Sequence, residues 1–243
     1  MAIIGTSLAR TEYLCLMADE EAPYQPDWFK TFDSRALSPE LLGRMVTVAY
    51  NDPSATAKET SDYKAWVVLG RVPGTPETYC LHAWIRRATP EEQIREMQRI
   101  IERFPGVRLA GERNGFQALL WNLLVLTCER EGRPVPSVRG VVNTANKLDR
   151  LMRWQAEHQL GRCYYDPREG DQQRLIDQWC DLPAGSHDDG PDAWDGARVI
   201  LDAACPPRVT HEAAEPTRQE AIREAIGGRW CSAENEAVWS GAF

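Results

Sequence analysis

Apolar residues recur in short runs along the first third of the chain, in a pattern typical of strands. Residues 45–50 (MVTVAY), 63–72 (YKAWVVLGRV) and 77–87 (ETYCLHAWIRR) are rich in β-branched and aromatic residues. The second and third runs are joined by Pro-Gly-Thr-Pro, a composition typical of a hairpin turn. The pattern predicts three strands, the last two of which are antiparallel neighbours.

From residue 89 onward the apolar spacing alternates between that of helices and that of strands. Thr89, Pro90 and Glu92 have the spacing of an N-cap, a first helical position and a capping box. The spacing predicts helices over residues 89–104, 114–126, 146–159, 172–182, 193–204 and 217–226. It predicts short strands over residues 107–112, 138–143 and 162–166.

This order of elements predicts an α/β fold, in which a mixed β-sheet is flanked by helices on both faces. We divide the chain into an N-terminal arm over residues 1–44, a sheet domain over residues 45–205 and an acidic extension over residues 206–243. A chain of 243 residues is long enough to bury a core of its own.

Composition and charge narrow the classes of function. The net charge is −8, and residues 181–243 hold twelve acidic but only five basic side chains. DNA-binding proteins without sequence specificity usually carry a basic surplus, so a nucleic-acid role must rest on a local site. No apolar run is long enough for a membrane helix, and we find no secretory signal. Seven single cysteines without CxxC spacing favour free thiols over a zinc site or a disulfide framework.

Three groups of acidic residues stand out by their place on the predicted elements. Asp52 ends the first strand, and Glu112 ends the strand after the first long helix. Asp188, Asp189 and Asp192 lie where a loop becomes the last large helix. Ligands collect at the ends of strands and the adjacent helix N-termini in α/β sheets. Carboxylates that converge there repel one another unless protons or a divalent cation lie between them, and magnesium prefers such oxygen ligands.

Each of these acids also has an ordinary structural interpretation. Asp52 before Pro53 is typical of a plain turn, and Glu112 could be a solvated strand end. Acids at a helix start cap the helix and complement its dipole. From the residues alone, both interpretations stay open.

Six segments, taken in order, resemble the nuclease domain of terminase large subunits from tailed bacteriophages. Residues 46–52 with 62–70 (DYKAWVVLG) resemble the first acidic motif and the strand after it. Residues 112–117 (ERNGFQ) resemble the second acidic motif. Residues 146–151 (NKLDRL) resemble that family's K..R(i/l) segment, and residues 161–165 (GRCYY) resemble its G.v.f strand. Residues 187–193 (HDDGPDA) resemble the third acidic motif. The resemblance covers roughly residues 10–205.

The resemblance implies an RNase H-like fold and a metal-dependent endonuclease that cleaves double-stranded DNA. By this resemblance Asp52, Glu112 and Asp189 are the catalytic metal ligands, with Asp192 and Asp188 as further ligands of one or two Mg²⁺ or Mn²⁺ ions. Lys147, Arg150 and Arg113 are candidate DNA-phosphate contacts, although such residues are commonly just exposed side chains on helices.

The resemblance also implies a place in a packaging motor. The sequence contains no GxxxxGK[ST] motif, so we expect no ATP site in this chain. Residues 1–44 then correspond to the linker from an absent ATPase domain. Expected partners are double-stranded DNA, the terminase ATPase domain, the small terminase subunit and the portal, in the host cytoplasm and with no membrane.

Two other functions stay open at this point. The chain could be a non-catalytic module that docks on a portal or capsid through its acidic C-terminal segment. It could also be an RNase H-like nuclease of the resolvase or transposase type, which would prefer branched DNA to a linear duplex.

Overall fold

A computed structural model of the protein describes residues 22–53, 63–112, 115–141, 145–185 and 187–206. Arg113 and the predicted helix over residues 217–226 lie outside the described residues. No helix within the described ranges has both the length and the apolar character to cross a membrane.

The described residues contain one mixed sheet of seven strands in the order β1-β7-β4-β3-β2-β5-β6. β2 pairs antiparallel with β3, and β3 with β4, whereas the remaining pairs are parallel. The predicted antiparallel hairpin is therefore confirmed as β3 and β4. The strands are β1 (Lys30–Thr31), β2 (Val46–Asp52), β3 (Lys64–Arg71), β4 (Thr78–Arg86), β5 (Arg108–Glu112), β6 (Val138–Val141) and β7 (Cys163–Tyr165).

Seven α-helices connect and cover these strands in the described part of the chain. They are α1 (Pro39–Arg44), α2 (Pro90–Arg103), α3 (Gly115–Glu131), α4 (Lys147–Met152), α5 (Gln155–Gln159), α6 (Gln172–Cys180) and α7 (Asp189–Ala204). The capping box predicted for α2 is present, because the Thr89 hydroxyl accepts from the Glu92 backbone and the Glu92 side chain accepts from the Thr89 backbone.

Two hydrophobic cores lie on the two faces of the sheet. Successive residues of β2 belong to opposite cores. Val48 and Tyr50 pack with α4, α6 and α7, whereas Ala49 packs with α2 and α3. This is the period of two that a strand buried on both faces produces. The predicted fold class, an RNase H-like mixed sheet flanked by helices on both faces, is confirmed.

The prediction of a single helix over residues 146–159 is wrong, because a turn interrupts it. The chain forms α4 and α5, with a tight turn at Arg153 and Trp154 between them. The indole N–H of Trp154 donates to the buried carboxylate of Asp195 at 2.7 Å. This buried hydrogen bond, made with a residue 41 positions away, is a tertiary interaction that helical spacing does not encode.

The described part of the N-terminal arm packs on the sheet domain. Tyr24 is fully buried, and its hydroxyl donates to the carbonyl of Leu151 at 2.6 Å. Lys30 and Thr31 add a parallel edge strand to β7. Residues 22–44 thus contribute to the core, and the domain boundary at residue 44 stays a prediction.

Close packing of α7 on β2 leads to a stability prediction. A Cβ on Gly196 would lie 2.4 Å from the ring of the buried Tyr50, so α7 approaches β2 more closely than an alanine allows. We expect Gly196→Ala to lower the free energy of unfolding by about 1–3 kcal/mol, measured by denaturant titration. The control is Gly43→Ala in α1, where a Cβ would meet nothing within 4 Å, and where alanine should be neutral or stabilising. Equal stabilities of the two variants would contradict the packing.

Candidate active site

Asp52 and Glu112 lie at the ends of two adjacent parallel strands. The paired residues nearest these ends are Asn51 on β2 and Gly111 on β5, and Asp52 and Glu112 each come next. Register neighbours point to the same side of a sheet, about 4.8 Å apart across the strands. By alternation with Tyr50 and Ala110, that side is the face covered by α7.

The first turn of α7 lies over the same end of the sheet. Asp52 is paired with Ala65 on β3, and Ala65 with Ile85 on β4, so these residues form a row across three strands. A Cβ on Gly190 would lie only 2.6 Å from the Ile85 side chain. Asp189, next to Gly190, therefore begins its helix at the end of the sheet that carries Asp52 and Glu112.

Asp189 and Asp192 are acids in partly desolvated positions. Asp52 and Asp189 are 8% and 9% exposed. Burial raises the pKa of Asp189 to about 6, against the lowering influence of Lys147. Burial likewise raises the pKa of Asp192, while Lys147 and Arg150 counteract the shift. Both carboxyl groups thus lie where a negative charge is costly without a cation.

Lys147 supplies a positive charge at this point. Its ammonium lies 2.6 Å from Asp188 Oδ1 and also pairs with Asp192 Oδ2. Although burial lowers it, the pKa of Lys147 is raised above its usual value by these two carboxylates. Lys147, on α4, thereby ties α4 to the start of α7.

Arg150 lies deeper and joins Asp192 to Asp195. Its guanidinium donates to Asp192 at 2.9 Å and to Asp195 at 2.6 Å. Asp195 is 1% exposed and also accepts from Arg153 and Trp154. Asp195 was not among the candidates from the sequence, although its spacing of three residues from Asp192 places it on the same side of α7. The DNA-binding role of Lys147 and Arg150 stays a prediction.

A magnesium or manganese site can be tested against these side chains. Carboxylate oxygens are the ligands that these ions prefer, and Asp52, Glu112 and Asp189 lie at one end and on one face of the sheet. Among the described residues, however, no group of three or more His, Cys, Asp or Glu side chains is gathered closely enough to hold an ion. The donor chemistry and placement fit a metal, while the side chains are not drawn into a coordination shell.

A cationic cluster that was not predicted from the sequence lies next to the row formed by Asp52, Ala65 and Ile85. Arg87 and Arg174 each lie over the ring of Tyr63, at 5.6 Å and 5.5 Å from its centroid. The His187 ring packs edge-on against Tyr63 at 4.6 Å, and His187 Nδ1 lies 4.0 Å from Asp189 Oδ2. The pairing of Lys64 with Arg86 brings these residues together, and hydrophobic spacing reveals a strand but not its register.

Comparison with solved structures gives the same fold. The manganese-soaked, inhibitor-bound terminase nuclease domain of human cytomegalovirus has a TM-score of 0.53 and 12% sequence identity, over 78% of this chain and 97% of that one. Another structure of the human cytomegalovirus domain gives 0.52 and 11%, over 85% and 98%. This chain has the fold of a terminase nuclease domain. No protein-family model matches the sequence, and no curated protein matches it significantly.

The large terminase nuclease domain of Thermus phage P74-26 matches with a TM-score of 0.47 and 11% identity, over 73% of this chain and 93% of that one. The likeness to the cytomegalovirus domains is one of fold, because their sequence identities are 12% and 11%.

Burial of Asp189 makes stability depend on pH. Its pKa is about 6 in the fold and 3.8 in a model peptide, so its contribution to stability is full below about pH 4 and is lost as the pH rises through 6. With metal removed by chelator, Asp189→Asn should therefore stabilise the protein by about 1–3 kcal/mol at pH 8 and by much less at pH 4. Denaturant titrations at both pH values measure the difference.

The exposed Asp149 on α4 provides the matched control, since Asp149→Asn removes a charge that is not desolvated. Asp189 variants that are equally stabilised, or equally destabilised, at both pH values would contradict the burial of this carboxyl group.

Proposed function

We propose that the protein is a divalent-metal-dependent endonuclease that cleaves double-stranded DNA during bacteriophage genome packaging. The observation that carries the proposal is the placement of Asp52, Glu112 and Asp189 at one end and on one face of the sheet. The fold shared with terminase nuclease domains supports it.

Asp52, Glu112 and Asp189 would hold one or two Mg²⁺ or Mn²⁺ ions, with Asp192 and Asp188 as further ligands. When bound, such ions polarise a phosphate oxygen and stabilise the charge that develops during phosphodiester hydrolysis. The cytomegalovirus domain was soaked with manganese, which is in line with this ion class. In this chain, the paired carboxylates of the α7 start are the groups that a cation would stabilise.

The chain's own side chains have distinct parts in this proposal. Asp52 and Glu112 are fixed by neighbouring strands, so their separation is set by the sheet. Lys147 holds Asp188 and Asp192, and Arg150 holds Asp192 against the buried Asp195. Lys147 and Arg150 would thus position these carboxylates, and their contact with DNA phosphates stays a separate prediction.

The same proposal implies which partners the nuclease would work with and where in the cell it would act. With no P-loop motif in the sequence, cleavage would depend on an ATPase domain that moves DNA, with the small terminase subunit and the portal as further partners. The protein would then act in the host cytoplasm.

Cleavage of a supercoiled plasmid tests the proposal. We expect the wild-type protein to nick and linearise the plasmid with Mg²⁺ or Mn²⁺ and to stop when chelator is added. Asp52→Asn and Asp189→Asn should each lower the cleavage rate by about 100-fold or more, because each removes a metal ligand. Calorimetric titration with Mn²⁺ alone should show weaker binding to both variants.

Loss of folding cannot imitate this result for Asp189→Asn, which is expected to stabilise the metal-free protein at pH 8. Asp149→Asn, which changes an exposed carboxylate on α4, should cleave at the wild-type rate. The proposal is wrong if both active-site variants retain full activity or if cleavage continues in chelator. A strong preference for branched over linear duplexes would instead indicate a resolvase-type nuclease.

A further inference from the structure

We propose that Arg87 and Arg174 form a binding surface for the phosphate backbone of duplex DNA beside the candidate active site. We call these two residues and Tyr63 the arginine surface. This inference deepens the proposed function and rests on it for the choice of DNA as the substrate. The observations that carry it are position, charge and the geometry around Tyr63.

The arginine surface lies at the same end and on the same face of the sheet as Asp52. Lys64 and Arg86 are the last paired residues of β3 and β4, and Tyr63 and Arg87 come next on the two strands. By alternation, Tyr63 shares the face of Ala65, which is paired with Asp52. Two residues of strand separate Tyr63 from that row, a distance of about 7 Å.

Contact through His187 makes the arginine surface continuous with Asp52, Glu112, Asp188, Asp189 and Asp192, which we call the acidic corner. The His187 ring packs on Tyr63, and its Nδ1 lies 4.0 Å from Asp189 Oδ2. A DNA strand lying on the arginine surface would therefore pass directly beside Asp189. That is the position a phosphate backbone must take if one of its bonds is to reach the carboxylates.

The arginine surface differs from Lys147 and Arg150 in how far its charge is neutralised by carboxylates. Lys147 and Arg150 are paired with Asp188, Asp192 and Asp195, so their charges are balanced within the protein. Arg87 is exposed, and no ion pair joins it to a carboxylate of the described residues. It is therefore a cation in reach of a ligand.

Asp171 is the acid that faces this surface. It accepts from Arg86 at 3.0 Å and lies 3.9 Å from Arg174, and it also accepts from the backbone of Ile85. Asp171 is shared between Arg174 and the neighbouring Arg86, and Arg87 has no carboxylate partner among the described residues. The arginine surface therefore holds a local excess of positive charge beside the carboxylates around Asp189, in a protein whose net charge is −8. Such a local excess is what a polyanion requires of an acidic protein.

Tyr63 orders two of the guanidinium groups in advance. Arg87 and Arg174 both lie over its ring, and Arg174 also donates to the carbonyl of Ile85 at 2.5 Å. A guanidinium group held over an aromatic ring keeps N–H groups that can donate to phosphate oxygens. Packing against Tyr63 thus lowers the entropy that Arg87 would lose when it binds a phosphate.

Binding to a fluorescent 30-base-pair DNA duplex, measured by anisotropy in chelator, tests the inference without cleavage. We expect Arg87→Ala to weaken binding about 3- to 10-fold, equally for unrelated sequences. The slope of log affinity against log salt should fall by about 1, because one phosphate contact is lost. Arg87→Lys should restore most of the affinity, since the charge is kept.

Arg130→Ala is the matched control, because it removes an exposed arginine from α3, which covers the opposite face of the sheet. It should bind like the wild type, and all variants should melt at the wild-type temperature. The inference is overturned if Arg87→Ala binds as tightly as Arg130→Ala, or if the wild type binds no duplex. Binding that depends on Arg87 without any metal-dependent cleavage would overturn the proposed function and leave the arginine surface standing.

Discussion

The arrangement of the candidate active site depends on the electrostatic free-energy cost of placing several carboxylates together in partly buried positions. Asp188, Asp189 and Asp192 crowd the first turn of α7, and burial raises the pKa of Asp189 and of Asp192. Lys147 and Arg150 offset part of that cost with ammonium and guanidinium groups from α4. Asp189 shares neither of these ion pairs among the described contacts. Among the three acids of the α7 start, it is therefore the one without a lysine or arginine ion-pair partner in the described ranges, and an added cation would stabilise its charged form.

Sheet topology determines where the acidic corner lies. Parallel pairing of β2 with β5 brings two strand ends together, although 60 residues of sequence separate Asp52 from Glu112. The close approach of Gly196 to Tyr50 and of Gly190 to Ile85 holds α7 against the same face. The fold therefore converts three distant acids into neighbours of one edge, while leaving an opposite charge at the arginine surface beside them.

Much of the fold was predictable because it depends on local chemistry. The hairpin of β3 and β4, the capping box of α2 and the mixed sheet all follow from spacing and turn residues near one another in sequence. The break between α4 and α5 was not predictable, because the buried bond that accompanies it joins Trp154 to Asp195, 41 positions away. The grouping of Arg87 and Arg174 around Tyr63 depends on strand register and on how α6 packs, and neither is encoded in periodicity. The acidic candidates were predictable from the sequence, as was the position of Asp52 and Glu112 at the ends of strands. The metal-binding role of these acids stays a proposal.

The claim that Asp52 and Asp189 bind a divalent metal is tested most directly by a crystal structure of the protein soaked with Mn²⁺, in which the ion is located by anomalous diffraction. We expect an anomalous peak with carboxylate oxygens of Asp52 and Asp189 about 2.1 Å away, the distance usual for a hard divalent ion of this kind. A peak elsewhere, or none while the Asp52 and Asp189 carboxylates stay apart at saturating Mn²⁺, would contradict a metal centre at this edge of the sheet.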